Sequence, residues 1–107
     1  MSTMLSIYPR EDMPALLAID EEEKIVYVDG EPCELTQQEF SLLQELAQNI
    51  NRALSREELL RAAWGYICPG ATRTVDVHVQ RLRKKLGFSC IETVYRQGYK
   101  LRAQEVY

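Results

Sequence analysis

Residues 72–87 read TRTVDVHVQRLRKKLG, and this stretch predicts an amphipathic helix that ends at Gly87. Four aliphatic residues recur at i, i+4, i+7 and i+11, which places them on one helical face: Val75, Val79, Leu82 and Leu86. The opposite face then carries long polar and basic side chains with one valine: Arg73, Val77, Gln80, Arg81 and Lys84. The stretch therefore pairs a core-facing aliphatic stripe with a cationic surface.

This cationic stretch lies in an acidic chain. Between Arg73 and Leu86 there are five basic side chains and one acidic one, whereas the 107-residue chain has a formal net charge of -3. Residues 1–51 hold two basic and eleven acidic residues, a charge of −9, and residues 52–107 hold eleven and five, a charge of +6. Such asymmetry suggests one face for a polyanion, although chance clustering on a small domain would give the same counts.

Two more helices precede the basic stretch. In LTQQEFSLLQELAQNI, Thr36 and Glu39 have the spacing of a capping box, and apolar residues follow at helical intervals. In LSREELLRAAWG, Ser55 and Glu58 repeat that spacing, and Gly65 suits the C-cap. The Pro-Gly pair in YICPGA predicts a loop between this helix and the basic one.

Strands are predicted on both sides of the helices. Short apolar runs in residues 1–35, separated by prolines, acidic residues and an Asp-Gly pair, indicate antiparallel strands with tight turns. Residues 90–102, CIETVYRQGYKLR, indicate a β-hairpin whose three-residue loop is Arg96-Gln97-Gly98. We expect Gly98 to supply the positive φ of that loop, Arg96 to stand at its tip, and Tyr95 to end a strand and pack or hydrogen-bond at its base.

The order of elements predicts an α+β fold. It is a winged helix–turn–helix with an N-terminal antiparallel sheet, three helices and a C-terminal β-hairpin wing. We expect residues 1–107 to form one domain, with strands in 1–35, the three-helix core in 36–87 and the wing in 90–102.

A helix–turn–helix places its second helix, here 72–86, in the major groove of DNA. The residue types fit that role, because arginine can bond two acceptors of guanine, glutamine suits adenine, and aspartate accepts from cytosine. Val77 suits contact with a thymine methyl group. A solvated amphipathic helix would show the same charge pattern, but the preceding helix, short loop and following hairpin favour DNA binding.

The chain resembles the DNA-binding effector domain of OmpR/PhoB-type response regulators. The matching segments are LTQQEFSLLQELAQN, LSREELLRAAWGY, TRTVDVHVQRLRKKLG and IETVYRQGYKL, in that order over residues 35–101. By position, the resemblance implies six residues that contact the DNA backbone: Trp64, Arg73, His78, Arg83, Thr93 and Tyr99. It implies four that face bases: Asp76, Val77, Gln80 and Arg81. We add Lys84 from the exposed helix face.

The family's wing usually carries Thr-Val-Arg-Gly-x-Gly-Tyr, whereas here Tyr95 stands at the arginine position and Arg96 at the first glycine. We expect Arg96 to take over the family's minor-groove contact. The resemblance further implies promoter DNA as the partner, side-by-side domains on direct half-sites, and RNA polymerase contact through the loop from Gly65 to Ala71. No receiver domain is expected in the chain.

The main alternative is a winged helix that serves as a protein–protein interaction module with little DNA affinity. Another is a regulator that lacks a receiver domain and whose activity is set only by its abundance or by a partner. No enzymatic activity, cofactor or metal is expected. Cys33, Cys68, Cys90 and His78 lack the closely paired ligands of structural zinc sites, and the widely spaced thiols fit a cytoplasmic protein. No apolar run is long enough to span a bilayer. Trp64 also suits the core, and His78 a half-buried helix flank.

Overall fold

The computed structural model of the protein describes residues 4–7, 17–65, 71–86 and 90–103. Within these residues the chain forms four strands, then three helices, then two strands. This order confirms the predicted α+β winged helix–turn–helix. The predicted loop residues 66–70 and the predicted helix end at Gly87 lie outside the described residues.

The first four strands form an antiparallel sheet in the order β1-β2-β3-β4. They are β1 (Met4–Ile7), β2 (Leu17–Asp20), β3 (Ile25–Val28) and β4 (Glu31–Cys33). Strands β3 and β4 are joined by Asp29 and Gly30, with φ of 52 and 83. Positive φ at both residues is what a two-residue type I′ hairpin turn requires, which explains the Asp-Gly pair. The inner face of the sheet buries Leu17, Ile19 and Val26.

The three helices are α1 (Gln37–Gln48), α2 (Arg56–Trp64) and α3 (Thr72–Leu86). Helix α1 begins with the predicted capping box, in which the Thr36 side chain and Glu39 bond reciprocally to each other's backbone N–H. At α2 the Ser55 hydroxyl accepts from the Glu58 N–H at 3.0 Å, and Gly65 ends the helix with a φ of 79. The helices pack pairwise on one another, and they bury the predicted stripe of α3.

The wing is an antiparallel hairpin of β5 (Ile91–Val94) and β6 (Gly98–Leu101). A third segment lies along β6, because the Leu54 N–H donates to the Tyr99 carbonyl at 2.8 Å and the Tyr99 N–H donates back at 3.0 Å. Leu54 belongs to the connection between α1 and α2. The wing is therefore tied by main-chain hydrogen bonds to the start of the helix–turn–helix.

The turn of the wing differs from the prediction. It comprises Tyr95, Arg96 and Gln97, and Gly98 is already the first residue of β6, opposite Val94. Arg96 itself has a φ of 61, and the Gln97 N–H donates to the Val94 carbonyl at 2.9 Å. The third residue of such a turn needs positive φ, as in type II, so Arg96 supplies it, and the expectation that Gly98 supplies the positive φ of the turn is wrong. Gly98 does have a positive φ, 134, but it serves a close backbone approach.

Candidate nucleic-acid interface

The outward face of α3 is the cationic surface that the sequence predicted. Its five members are all exposed: Arg73, Val77, Gln80, Arg81 and Lys84. Val77 is 47% exposed and is one of two large hydrophobic residues so exposed in the described part of the chain. The same helix buries Val75, Val79, Leu82 and Leu86. Burial of the stripe fixes the rotation of α3, so the basic face must point outward.

The five cations of α3 fall into two groups. Arg73, Arg81 and Lys84 have no hydrogen-bond or ion-pair partner among residues 4–7, 17–65, 71–86 and 90–103. Arg83 and Lys85 are engaged within the fold. Within the described part of the chain, these three cations can therefore bind an external anion without giving up a contact inside the fold.

Lys85 joins the end of α3 to the start of α1. Its Nζ donates to the Glu39 carboxylate at 2.6 Å, and the Glu39 side chain is only 1% exposed. Burial raises the pKa of Glu39, but hydrogen bonds from Lys85 and Thr36, together with the Lys85 charge, lower it below its ordinary value. This carboxylate therefore stays ionised in the folded protein, and its pair with Lys85 holds two helices together.

Asp76 projects from the first half of α3 into a contact with two other elements. Its Oδ1 accepts from Arg56 Nε at 2.8 Å and from the Tyr99 hydroxyl. The hydrogen bond to Asp76 is the main cause that raises the pKa of Arg56, and burial followed by the bond to Asp76 raises the pKa of Tyr99. The predicted base-facing role of Asp76 therefore competes with an internal role, because its carboxylate is already paired.

Two guanidinium groups lie close to the ring of Tyr99. Arg56 is 5.1 Å and Arg83 is 5.5 Å from the centroid of the Tyr99 ring, within the range of cation–π attraction. Arg83 also donates to the Ile91 carbonyl at 2.9 and 2.7 Å and to the Thr93 hydroxyl at 3.0 Å. Arg83, Thr93 and Tyr99, predicted as backbone contacts, thus form one polar network at the junction of α3 and the wing.

Trp64 and His78 border the exposed face of α3. Their rings meet edge to face, with centroids 4.9 Å apart and planes at 82°. His78 Nδ1 lies 2.8 Å from the Thr74 carbonyl, which orients the other ring nitrogen away from the helix backbone. Both residues are half-buried, and Trp64 also packs against the core cluster. The structure therefore places them beside the cationic face with part of each side chain accessible.

The wing tip carries an exposed aromatic–cation pair. Tyr95 is 79% exposed, and the Arg96 guanidinium lies 5.1 Å from its ring centroid. The expectation that Tyr95 packs at the strand base is wrong, because Tyr95 is in the turn and its ring faces solvent and Arg96. Arg96 is exposed at the tip as predicted.

Sequence reasoning missed Arg56 and the segment around Leu54. Arg56 is the first residue of α2, where a basic side chain gives no sign of a distant partner. Its partners Asp76 and Tyr99 lie 20 and more residues further along the chain. A local pattern contains no information on such pairing, and no feature of the sequence would have identified it.

The described residues contain no group of three or more His, Cys, Asp and Glu side chains placed to hold a metal ion. Cys68 of the considered zinc set lies outside the described residues. Burial raises the pKa of the Cys90 thiol to about 12, and burial also raises the pKa of Cys33. Both thiols are free. In the part of the chain that is described, no helix has the length and apolarity needed to cross a membrane.

Residues 30–101 match the family model described as "Transcriptional regulatory protein, C terminal". Among similar proteins, the transcriptional regulatory protein VxrB of Vibrio cholerae is 47% identical over 87 residues, which is 81% of this chain and 36% of VxrB. The transcriptional regulatory protein CseB of Streptomyces avermitilis is 48% identical over 87 residues, 81% of this chain and 37% of CseB. The chain thus spans little more than a third of the length of these relatives.

A solved structure with the same fold is the DNA-binding domain of RstA from Klebsiella pneumoniae, in complex with the RstA box. It is 35% identical to this chain, with a TM-score of 0.74, and the match covers 80% of this chain and 90% of that one.

Proposed function

Because the chain belongs to the family of C-terminal domains of transcriptional regulatory proteins, we propose that it binds double-stranded promoter DNA sequence-specifically and thereby regulates transcription in a bacterial cytoplasm. The role is one of recognition, without catalysis or a cofactor. Support comes from the RstA DNA-binding domain, 35% identical, whose structure was solved in complex with the RstA box.

The observation that carries this proposal is the exposed face of α3. Three cations without partners among the described residues, Arg73, Arg81 and Lys84, flank Val77 and Gln80 on one side of a rigidly packed helix. Long cations can reach phosphates, whereas short polar and aliphatic side chains reach base edges.

We propose distinct roles for the members of this surface. Val77, Gln80 and Arg81 read base edges in the major groove, and Arg73 and Lys84 contact phosphates. A further group borders the surface and contacts the DNA backbone while also holding the fold together: Trp64, His78, Arg83, Thr93 and Tyr99. Asp76 remains at the base-facing position of α3, with its carboxylate held by Arg56.

The wing supplies a second contact in this proposal. Arg96 stands exposed at the tip of the hairpin and enters the minor groove beside the major-groove site. A narrow, A·T-rich minor groove has the more negative potential and attracts an inserted arginine. Flanking sequence therefore contributes to affinity without direct hydrogen bonds to bases.

Two further partners belong to the proposal at the level of the whole protein. Two copies bind side by side on direct half-sites, and the loop from Gly65 to Ala71 contacts RNA polymerase. The acidic half of the chain, residues 1–51, faces away from the phosphates. Residues 66–70 of the loop lie outside the described residues, so this contact rests on the family relationship.

The test is a selection from random duplex DNA, followed by titration of the enriched duplex at several salt concentrations. We expect one enriched motif and a log–log slope of about −0.9 per phosphate neutralised. Lys84→Gln should make the slope shallower, while the matched variant Lys24→Gln, in the turn between β2 and β3, should leave it unchanged. Absence of any enriched motif, with no duplex affinity at low salt, would contradict the proposed function and is the result expected of a protein-interaction module.

A further inference from the structure

We infer that Asp76 is a positioning residue that sets the angle between α3 and the wing, rather than a residue that reads a base. The inference rests on the proposed DNA-binding function, because that angle decides whether the recognition helix and the wing reach DNA together. It replaces the base-facing role that the position of Asp76 on α3 implied.

Asp76 joins three elements through a single carboxylate. Its Oδ1 accepts from Arg56 Nε at 2.8 Å, at the start of α2, and from the Tyr99 hydroxyl in β6. The Asp76 side chain is 37% exposed, so it sits at the edge of the surface rather than on its outward face. Both donors bind the same oxygen, Oδ1, so Arg56 and Tyr99 together set the position and orientation of the Asp76 carboxylate.

The contact between Asp76 and Tyr99 affects the position of the wing because both the main chain and the side chain of Tyr99 are held in place. Its main chain exchanges two hydrogen bonds with Leu54, and its ring lies within 5.5 Å of the guanidinium groups of Arg56 and Arg83. A displacement of Asp76 therefore moves β6 as a unit with its hairpin. Main-chain bonds from Leu54 to Tyr99 and from Asn51 to Leu101 hold one edge of the hairpin, and the bond from the Tyr99 hydroxyl to Asp76 ties β6 to α3.

Arg83 provides a second link from α3 to the wing, through the Ile91 carbonyl and the Thr93 hydroxyl. Loss of the Asp76 carboxylate therefore does not detach the wing. It removes one of two side-chain links about seven residues apart on α3, and the remaining link acts as a pivot. The expected result is a changed wing angle in a folded protein.

The first measurement needs no DNA. Residual dipolar couplings of backbone amides give the orientation of β5 and β6 relative to α3. Asp76→Ala and Tyr99→Phe should both change this orientation, and Gln80→Ala, a control on the outward face of α3, should leave it at the parental value. Tyr99→Phe keeps the ring close to Arg56 and Arg83 and removes only the hydroxyl group that bonds to Asp76. This variant therefore tests the inference even if Asp76→Ala does not fold. An unchanged orientation in Tyr99→Phe and Asp76→Ala would overturn the inference.

The second measurement uses the duplex obtained by selection, with its A·T-rich flank. One base pair is inserted between the major-groove motif and the flank, and affinities for the native and the extended duplex are compared. The parent should bind the native duplex much more tightly than the extended one. Asp76→Ala and Tyr99→Phe should lower this ratio of affinities about fivefold, the size of a modest coupling between two sites. Base preference within the motif should be unchanged.

The opposite pattern would restore the base-reading role: Asp76→Ala changes preference at one base pair, Tyr99→Phe does not, and both keep the parental spacing discrimination. The two measurements also separate two kinds of failure. If the parent selects no duplex, the proposed function is wrong, and the dipolar couplings still decide whether Asp76 positions the wing.

Discussion

The backbone of Gly98 lies so close to Leu54 that a Cβ atom at position 98 would sit 2.0 Å from the Leu54 carbonyl oxygen. This approach allows the Leu54 segment to bond to β6, and so attaches the wing to the helix–turn–helix. Gly98 also has a φ of 134, which other residues adopt only with strain.

The first prediction is that Gly98→Ala destabilises the fold by about 3 kcal/mol, from backbone strain and a steric clash together. Gly30→Ala is the matched control, since Gly30 also has a positive φ, 83, but nothing lies within 4 Å of an added Cβ. That variant should cost about 1 kcal/mol. Urea unfolding at constant m-value measures both, and equal costs would contradict the role assigned to the Leu54 contact.

The second prediction concerns the Glu39–Lys85 pair and pH. Since the folded pKa of Glu39 is lowered, the pair stabilises the fold above the unfolded pKa, 4.5, and this stabilisation is lost as pH falls through the folded pKa. Lys85→Gln should cost about 1–3 kcal/mol at pH 7, where the charge of Glu39 is left without its cation, and less at low pH.

Unfolding free energies of the parent and Lys85→Gln, measured from pH 7 down to pH 3, test this prediction. The difference between the two should narrow as Glu39 becomes protonated in both. Lys84→Gln is the control, because Lys84 neighbours Lys85 but has no partner among the described residues. If the difference in unfolding free energy between the parent and Lys85→Gln stays constant with pH, the loss of the Glu39–Lys85 ion pair is not what destabilises the variant.

The third prediction separates the cations that read sequence from those that hold the backbone. Arg81→Ala should relax preference at one or two base pairs and cost roughly 1–3 kcal/mol there. Arg73→Ala should weaken binding to all sequences about equally and make the salt slope shallower by roughly one unit. Both variants are titrated against the selected duplex and its single-base variants. A reversal of the two outcomes would exchange the assigned roles.

The fourth prediction concerns Arg96, whose φ of 61 combines a strained backbone with an exposed cation. Arg96→Gly should stabilise the fold by about 1 kcal/mol, because glycine adopts positive φ without a Cβ penalty. It should also abolish the preference for A·T-rich over G·C-rich flanks while leaving the major-groove motif unchanged.

Tyr95→Phe is the control for the wing tip. It keeps the ring 5.1 Å from the Arg96 guanidinium and should therefore leave both stability and flank preference at parental values. Urea unfolding and relative affinities for one motif with two flanks provide the measurements. An Arg96→Gly protein that still prefers A·T flanks as strongly as the parent would exclude the proposed minor-groove contact.

The sequence by itself determined the elements, because their signals are local. The stripe Val75, Val79, Leu82 and Leu86 predicted the buried side of α3, and the structure confirms each of these residues as buried. The capping pair Thr36 and Glu39, the C-cap at Gly65 and the Asp-Gly hairpin turn are likewise where the pattern predicted them. Each of these signals depends on residues that recur within a few positions of one another along the chain.

Only the tertiary structure decided which charged and polar side chains are available at the surface. Of the cations on α3, Lys85 is paired with Glu39, 46 residues earlier in the chain, and Arg83 with β5. Asp76 looked like an outward acceptor and is held by Arg56, 20 residues before it. Such pairs form when separate elements pack, and the desolvation and hydrogen-bond geometry that select them exist only in the packed fold. Periodicity places a residue on a face, and packing determines whether that residue has a partner there.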